Sequence, residues 1–290
     1  MNLTATTLPD PLVYLNGALI PISQASIPIL DRGFIFGDGI YEVIPIYQRK
    51  PFRAEHHLAR LFRSLAAIGI SNPYDATTWR TLIDQVTAAS VHEDQMVYVQ
   101  VTRGVAKRAH AFPADCTPTV FIMSNLLQLP SEAIRSQGVA CVSMEDQRWL
   151  HCEIKSTSLL GNVLAAQYAV EHQATESIQF RDGILTEASA SNVWIVRAGV
   201  LMAPPKDNLI LEGIRYGLIE ELCVANGIEF IACRLSRDDV FNADEVMLTS
   251  ASKEILPVRS IDGTAIGHGV PGPIYQKLYA AYQAAKVTTT

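Results

Sequence analysis

Short β-type segments joined by tight turns are the feature that most restricts the fold of this chain. Residues 12–21 predict a hairpin that turns at Asn16-Gly17, and residues 177–188 predict another that turns at Asp182-Gly183. Further β-type segments with apolar alternation or β-branched residues cover 40–48, 96–103, 118–123, 139–144, 192–204 and 245–250. These segments predict a protein built on sheets, with more strands in the second half of the chain than in the first.

Helical periodicity separates many of these strands. Apolar residues recur at helical spacing in 54–70, which predicts a helix there. The same pattern or a helix-start signal predicts further helices at 77–90, 161–173, 213–226 and from about 272 onward. Strands and helices together predict the α+β class. Pro130 and Ser131 interrupt the pattern, so we expect a smaller N-terminal α/β domain at 1–123, a linker at 124–133 and a larger strand-rich domain at 134–290.

Composition and charge favour small-molecule chemistry. The chain has 290 residues and a formal net charge of −6 at pH 7, with no run of Lys or Arg, which argues against a nucleic-acid or membrane partner. The N-terminal residues show no leader pattern and no apolar run reaches spanning length, which predicts a cytoplasmic protein. The five cysteines form no C-x-x-C pair, so neither a disulfide framework nor a metal site is expected.

Lys155 stands in an unusual place, within the stretch CEIKSTSLLGN. A lysine beside an apolar run commonly extends to water, and that interpretation prevails for Lys155 alone. A partly desolvated lysine, however, can act as a neutral amine and form a Schiff base with a carbonyl compound. Glu187, among small and hydroxylated residues at a strand end, is the acid that a pyridoxal phosphate enzyme needs beside the ring nitrogen.

Two segments are candidates for holding a phosphate. Gly213 and Ile214 stand where a helix is predicted to begin, and backbone N–H groups at a helix start attract anions. Thr249 and Ser250 stand at the end of the predicted strand 245–250 and supply hydroxyl groups. Each pattern is common in loops by itself, so the two count only in combination with Lys155.

At this point the chain resembles a known family along nearly its whole length. The blocks GDGIYEVIPIY, HHLARLFRS, VTRGVAKRAHAFP, EIKSTSLLGNVLA, TEASASNVWIV and TSASKEILPV occur in the order typical of fold-type IV pyridoxal-phosphate aminotransferases. The R-x-H-x-F-P block is similar to that of the D-amino acid aminotransferase branch. The resemblance implies a two-domain fold, pyridoxal 5′-phosphate as cofactor and a homodimer.

The resemblance also implies roles for individual residues. Lys155 would bind the cofactor covalently, Glu187 would pair with the pyridine nitrogen, and Leu211 would pack on the ring. The phosphate would be held by Arg60, Ile214, Arg215, Ser250 and Ala251. Two positions depart from the family pattern: a threonine hydroxyl is missing at Arg215, and Ala251 replaces a hydroxyl residue, so only backbone donation is expected there.

Substrate recognition is predicted in the stretch TRGVAKRAHAFP. Arg108 and His110 are alternate residues that can face one ligand, and a guanidinium matches a carboxylate bidentately. Tyr41 follows the turn at 37–39 and can add a hydroxyl, although an aromatic strand residue is more often part of a core. The resemblance assigns Tyr41, Arg108 and His110 to the α-carboxylate of a D-amino acid such as D-alanine or D-glutamate.

Several alternatives remain at this stage. Within the family these are a branched-chain L-amino acid aminotransferase, an (R)-amine aminotransferase and, less favoured, an aminodeoxychorismate lyase. The R-x-H pair is the feature that distinguishes the D-amino acid branch from them. From a different class, the chain would be a non-catalytic vitamin-B6 carrier on the same fold. The presence of both Lys155 and Glu187 argues against a carrier.

Overall fold

The computed structural model describes residues 10–289, with side chains described to residue 287. Residues 1–9, on which the prediction about the N-terminal residues rests, and residue 290 lie outside the described residues. The chain divides into two compact units, one up to Leu127 together with Ser156–Ser158, and the other covering Gln128–Lys155 and the chain from Leu159 onward. Within residues 10–289, none of the helices combines the length and apolarity needed to cross a bilayer.

Unit 1 contains the elements of the first half of the chain. In order these are β1 (Leu12–Leu15), β2 (Ala18–Pro21), α1 (Arg32–Phe36), β3 (Gly39–Tyr47), β4 (Lys50–Pro51), α2 (Ala54–Ala67), α3 (Ala76–Ala89), β5 (Gln95–Thr102) and β6 (Thr119–Leu126). The described strands of this unit form one antiparallel sheet in the order β2-β1-β6-β5-β3-β4.

The sheet of unit 1 buries one face against helices. Val97, Val99 and Val101 alternate along β5 and are buried, as the period of two predicts, while Tyr98 and Gln100 point to the other face and are partly exposed. Helices α2 and α3 pack on the buried face. The sheet therefore leaves its other face, with Tyr98 and Gln100, available for polar and aromatic contacts.

Unit 2 contains the remaining elements. In order these are α4 (Glu132–Gln137), β7 (Val139–Glu145), α5 (Leu160–Glu171), β8 (Glu176–Arg181), β9 (Ile184–Ala188), β10 (Asn192–Arg197), β11 (Val200–Ala203), α6 (Ile214–Asn226), β12 (Phe230–Ala232), α7 (Arg237–Phe241), β13 (Glu245–Ser250), β14 (Glu254–Ile261), β15 (Thr264–Ala265) and α8 (Pro273–Thr289). The described strands form a mixed sheet in the order β12-β11-β10-β13-β14-β7-β8-β9, with β15 paired to β14. Its apolar core includes Ile178, Ile195, Leu248 and Ile261.

The two predicted hairpins are confirmed. Asn16 and Gly17 have φ values of 48° and 100°, and Asp182 and Gly183 have φ values of 51° and 75°. Two successive residues with positive φ match the twist of the flanking strands, which is why Asn-Gly and Asp-Gly favour two-residue hairpins. The predicted helices and strands match observed elements with boundary shifts of a few residues, and the α+β class is confirmed.

Other parts of the fold differ from the prediction. Residues 192–204 form two strands, β10 and β11, because the chain turns at Ala198 and Gly199, whose φ values are 47° and 80°. Strand β14 was not predicted, because Pro257 lacks a backbone donor and commonly excludes a residue from a sheet interior. The short helices α1, α4 and α7 span too few residues to show a helical period.

Candidate active site

A loop between β5 and β6 carries two of the predicted substrate residues, and a buried arginine supports it. Arg32, at the start of α1, donates from Nη1 to the carbonyl oxygens of Ala109 (2.5 Å) and Ala111 (3.4 Å), and from Nη2 to that of His110 (3.3 Å). The Arg32 side chain is buried, so these contacts are shielded from water. One guanidinium therefore fixes the backbone of three successive residues.

Asp38 joins this arginine to a second one. Its carboxylate accepts from Arg32 Nε at 2.7 Å and from Arg103 Nε and Nη2 at 2.8 and 3.0 Å. Arg103 also donates to the carbonyl oxygens of Ile68 and Gly69 at the end of α2. Burial opposes ionisation of Asp38, but Arg103 and Arg32 outweigh it and lower the pKa of this carboxyl. The loop is thus tied to β5, α1 and α2 through one partly buried carboxylate.

Arg108 and His110 are exposed, and the same aromatic ring contacts both of them. The guanidinium carbon of Arg108 lies 5.4 Å from the ring centroid of Phe36, and the imidazole of His110 lies 5.5 Å from it. Phe36 ends α1, the helix that Arg32 begins. The structure thus brings the two predicted substrate residues together, on a backbone that Arg32 holds through hydrogen bonds.

Tyr41 lies on β3 and is partly buried. Its ring stacks on Tyr98 with centroids 5.7 Å apart, and Gln100 is its cross-strand partner in β5. The Tyr98 hydroxyl donates to Gln100 Oε1 at 2.7 Å, and burial, together with Tyr41, raises the pKa of Tyr98 to about 12. Tyr41 therefore belongs to an aromatic and polar group on the face of the sheet that helices α2 and α3 leave uncovered.

Arg60 is buried in α2 and pairs with a carboxylate of β3. Its Nε and Nη2 donate to the two oxygens of Glu42 at 2.6 and 2.9 Å, and His57 Nδ1 lies 2.8 Å from the same carboxylate. Burial opposes ionisation of Glu42, but Arg60 and His57 outweigh it and hold its pKa far below the usual range. The described contacts thus give Arg60 a role in joining α2 to β3, and its predicted phosphate contact stays a prediction.

Glu187 lies on β9 and is buried, as a partner for a ring nitrogen in a dry site must be. Arg148 Nη1 donates to its Oε1. The backbone N–H of Leu211 donates to Oε2 at 3.0 Å, and Asn192 Nδ2 approaches the same oxygen at 3.5 Å. An ionised carboxylate accepts about four hydrogen bonds, so these three donors leave room for one more.

The charge of Glu187 depends on its neighbours. Burial raises the pKa of Glu187, while Arg148, the Leu211 N–H and Lys155 oppose that rise. Asp146 holds Arg148 through Nε at 2.9 Å and Nη2 at 2.8 Å. Although burial opposes it, Asp146 and Glu187 raise the pKa of Arg148, which stays a cation. The guanidinium is therefore a fixed positive charge placed directly on Glu187.

Lys155 is partly buried and belongs to unit 2 together with Glu187. Its charge is one of the contributions that lower the pKa of Glu187, so these two predicted cofactor-binding groups interact electrostatically. The three residues after Lys155 belong to unit 1, where Thr157 donates from its backbone N–H to the Gly39 carbonyl at 3.0 Å. The backbone on the C-terminal side of Lys155 is thus held at the start of β3.

Asn192 joins the segments predicted to hold the ring and the phosphate. Its Nδ2 donates to the Leu211 carbonyl at 2.8 Å, and it pairs with Thr249 across β10 and β13. A Cβ atom at Gly213 would collide with Asn192 Oδ1, so only glycine fits at the residue before α6. The structure therefore brings the 211–214 segment and the end of β13 to one side chain.

The predicted phosphate residues lie at the start of α6 and at the end of β13. Ile214 and Arg215 are the first two residues of α6, and the N-cap residue, Gly213, has no side chain to cap this helix start. The Arg215 side chain is buried and donates from Nε to the hydroxyl of Tyr282 at 3.2 Å. Ser250 Oγ accepts from the Lys253 backbone N–H at 3.2 Å, and Ala251 follows in the hairpin between β13 and β14.

These residues fit pyridoxal phosphate. Glu187 has a remaining acceptor position for a protonated ring nitrogen, and Lys155 supplies an amine in the same unit. The uncapped start of α6 supplies backbone donors for a dianionic group. The sequence did not point to Arg148 or Arg32, because Glu187 and His110 are 39 and 78 residues away from them along the chain. Asn192 and Asp38 lie within blocks that carry the family resemblance, but no role was predicted for them.

Comparison with known proteins identifies what this arrangement is similar to. The profile of the amino-transferase class IV family matches residues 39–261. A D-alanine aminotransferase of Bacillus licheniformis is 39% identical over 96% of this chain and 98% of that protein. The crystal structure of a branched-chain aminotransferase from Thermoproteus uzoniensis with norvaline is 26% identical, covers 94% of this chain and 93% of that chain, and has a TM-score of 0.86.

A further solved structure agrees in fold. The PLP-bound form of a hypothetical aminotransferase from Mycobacterium tuberculosis is 23% identical, covers 96% of this chain and 100% of that chain, and has a TM-score of 0.83. At that identity the likeness concerns the fold alone. The similarity to all these proteins spans both units of the chain.

Proposed function

Because the chain belongs to the amino-transferase class IV family, we propose that it transfers the amino group of D-amino acids to 2-oxo acids with pyridoxal 5′-phosphate as cofactor. The substrates are of the D-alanine and D-glutamate type. The observation that carries the proposal is the near-full-length similarity to a D-alanine aminotransferase, in a chain that retains Lys155 and a buried Glu187. Retention of both groups supports an enzyme rather than a carrier of the same fold.

The residues that would hold the cofactor are those that the family resemblance implies. Lys155 Nζ would bind it covalently, Glu187 would accept a hydrogen bond from the ring nitrogen, and Leu211 would pack against the ring. The backbone at Ile214, Arg215 and Ala251, with Ser250, would bind the phosphate, and Arg60 is a further residue that the resemblance implies for it. When bound, the cofactor supplies a carbonyl that takes up the substrate amine and a pyridinium that withdraws electrons from the α-carbon.

Lys155 and Glu187 divide the work of the reaction. Arg148 donates to Glu187 and opposes the rise in its pKa that burial causes, so Glu187 would favour the protonated form of the ring nitrogen. In the first half-reaction, Lys155 Nζ would take the proton from the α-carbon of the amino donor. In the second, it would deliver a proton to the α-carbon of the amino acceptor. The first half-reaction releases a 2-oxo acid, and the second converts another 2-oxo acid into a new D-amino acid, which is a ping-pong scheme.

Handedness depends on the side at which the carboxylate is held. Lys155 delivers its proton from one face, so the position of the α-carboxylate decides which enantiomer reacts. We propose that Arg108 and His110 bind this carboxylate and that Tyr41 adds a hydroxyl donor. The support for this is that Phe36 contacts both Arg108 and His110 and that Arg32 fixes their backbone.

The assembly and location of the protein complete the proposal. Helix α5 exposes a row of apolar side chains at helical spacing, with Leu160 70%, Val163 58%, Leu164 60% and Val170 67% exposed. A second copy of the chain would cover such a row, so the proposed state is a homodimer. Sedimentation analysis of Leu164→Glu would test it, because a charge in this row should weaken a dimer. A cytoplasmic location stays the prediction made from the sequence.

Parallel assays test the proposed activity directly. Purified protein is incubated with 2-oxoglutarate and either D-alanine or L-leucine, and the new amino acid is resolved by enantiomer. D-alanine should react much faster and yield D-glutamate. Faster reaction of L-leucine with formation of L-glutamate would instead identify a branched-chain L-amino acid aminotransferase, the activity named for the Thermoproteus uzoniensis structure.

A further inference from the structure

The C-terminal helix α8 contacts both segments of unit 2 that are predicted to bind the phosphate. Tyr282 of α8 contacts the start of α6, and Gln283 and Lys286 contact the hairpin after β13. The sequence assigned no role to α8 beyond completing the fold. Three residues of α8 thus contact the start of α6 and the hairpin after β13, two segments that both approach Asn192.

The first contact involves Arg215, one of the two residues that depart from the family pattern. Arg215 is 2% exposed and Tyr282 is 0% exposed, so the hydrogen bond from Arg215 Nε to the Tyr282 hydroxyl is shielded from solvent. Arg215 lies in the first turn of α6, where backbone N–H groups have no partner within the helix. Its side chain therefore connects the donors of this turn to α8.

The second contact converges on a buried carboxylate at the end of the hairpin. Glu254 accepts from Lys286 Nζ at 2.7 Å, from Gln283 Nε2 at 3.0 Å and from Arg135 Nη2 at 3.0 Å. Glu254 has a φ of 59°, a conformation that non-glycine residues adopt only when their surroundings hold them in it. It pairs with Ser250 across the hairpin, so these contacts fix the loop that contains Ala251.

We propose that α8 acts as a clamp that sets the spacing of the two phosphate-binding segments, with Tyr282 and Lys286 as positioning residues for the phosphate. This inference rests on the proposed function, because it concerns the same cofactor. The start of α6 and the β13–β14 hairpin supply backbone donors to one phosphate group, and hydrogen bonds to an anion weaken steeply when distance or angle changes. Release of either segment therefore lowers affinity for the phosphate and not for the ring.

A comparison of two ligands isolates the phosphate. Pyridoxal has the same aldehyde and ring as pyridoxal phosphate and lacks only the phosphate. Full-length protein is freed of cofactor and titrated with each ligand, and binding is followed by absorbance. Tyr282→Phe and Lys286→Met should each weaken pyridoxal phosphate binding about 5- to 10-fold, the equivalent of one lost hydrogen bond, and change pyridoxal binding less than about twofold.

Tyr279→Phe is the matched control. It removes a hydroxyl from the same helix and keeps the ring, whose centroid lies 4.6 Å from the guanidinium carbon of Arg135, so the contact with Arg135 is retained. Both ligands should bind this variant within about twofold of the unchanged protein. Lys286 is partly exposed, so Lys286→Met tests the clamp even if Tyr282→Phe disturbs packing.

Two outcomes would overturn the clamp while leaving the proposed function intact. Equal losses for both ligands would mean that α8 supports the unit as a whole, and unchanged affinities would mean that α8 does not position the phosphate segments. Failure of the unchanged protein to bind either ligand would reject the proposed function and the clamp together.

Discussion

Two arginines with side chains that are 4% and 5% exposed, Arg32 in unit 1 and Arg148 in unit 2, support the predicted site in different ways. Each is held by an aspartate, Asp38 or Asp146. Arg32 donates to three backbone carbonyl oxygens and leaves the side chains of the loop exposed. Arg148 donates directly to the carboxylate of Glu187.

The difference separates positioning from electrostatic tuning. A guanidinium on carbonyl oxygens fixes the path of the backbone and acts on Arg108 or His110 only through their placement. A guanidinium on a buried carboxylate changes how readily that carboxylate takes up a proton. Loss of Arg32 should therefore change substrate affinity, and loss of Arg148 should change the chemical step.

The largest effect is expected for Arg148→Met. Without the guanidinium, burial dominates, the pKa of Glu187 rises further, and the neutral acid no longer keeps a ring nitrogen protonated. Turnover with D-alanine should fall about 100-fold or more while the cofactor still binds, as measured by kcat and by absorbance.

Arg181→Met is the control for this change. Arg181 contacts Asp146 at 3.2 Å and the Arg148 carbonyl at 2.7 Å, so it belongs to the same cluster without donating to Glu187 in the described contacts. Its turnover should fall less than about fivefold. Similar losses in both variants would show that the cluster acts as structural support and not through the charge on Glu187.

The next largest effect is expected for Arg108→Leu. If Arg108 binds the α-carboxylate, kcat/KM for D-alanine should drop about 30-fold, because a charge-assisted contact is lost. An (R)-amine has no carboxylate, so any activity toward it should change much less. Equal losses on both substrates would assign Arg108 to the fold or the cofactor, and an unchanged efficiency would leave it a solvated loop residue.

A smaller effect is expected for Arg32→Lys. Lysine retains a charge near Asp38 but cannot donate in a fork to three carbonyl oxygens. KM for D-alanine should rise about fivefold to tenfold with little change in kcat. Arg49→Lys is the control, because Arg49 also donates to backbone carbonyl oxygens of unit 1, at Thr87 and Ser90, and should leave KM unchanged. A fall in kcat with constant KM would contradict the positioning role of Arg32.

The smallest effect is the pH dependence of stability. Asp38 and Asp146 have pKa values below the ordinary value of 3.8, so near that pH the folded state binds fewer protons at these groups than the unfolded chain does. Their contribution to stability is therefore present above about pH 4 and is lost as the pH falls below it. The pKa of Glu187 is raised, so its contribution has the opposite sign and partly offsets that of Asp146 in unit 2.

Thermal unfolding measured between about pH 3 and pH 6 tests whether Asp38 contributes to the pH dependence of stability. The fall in Tm on acidification should be about 3 °C smaller for Asp38→Asn than for the unchanged protein. Asp84→Asn, at an exposed position in α3, should leave the pH dependence as it is. Parallel curves for Asp38→Asn and the unchanged protein would mean that the Asp38 cluster does not respond to acid.

Local signals in the sequence were sufficient for the hairpins and the main helices. A two-residue hairpin turn needs positive φ at both central positions, and Asn-Gly and Asp-Gly adopt this conformation readily. The turns at Asn16-Gly17 and Asp182-Gly183 could therefore be predicted without knowledge of the fold. Lys155 and Glu187 were identified because the chemistry requires an amine and an acid, and family resemblance supplied the pairing.

The supporting contacts could not be predicted in this way. Arg148 is 39 residues away from Glu187, and Arg32 is 78 residues away from His110, so no local period or spacing connects them. Strand β14 was missed because Pro257 suggests an interruption, although the sheet accommodates it near an irregularity between Val258 and Ser260. Tertiary packing decides these features, and a single sequence does not encode them in a local pattern.

The central claim is that Lys155 carries the cofactor, and borohydride reduction followed by peptide mapping tests it most directly. The purified protein should be yellow, and reduction should fix one cofactor-derived label on the peptide that contains Lys155, in unit 2 with Glu187. Lys155→Ala should bind cofactor without a covalent label and should not turn over repeatedly. A stable label on another lysine, such as Lys206 or Lys253, or no label at all in the unchanged protein, would contradict the account.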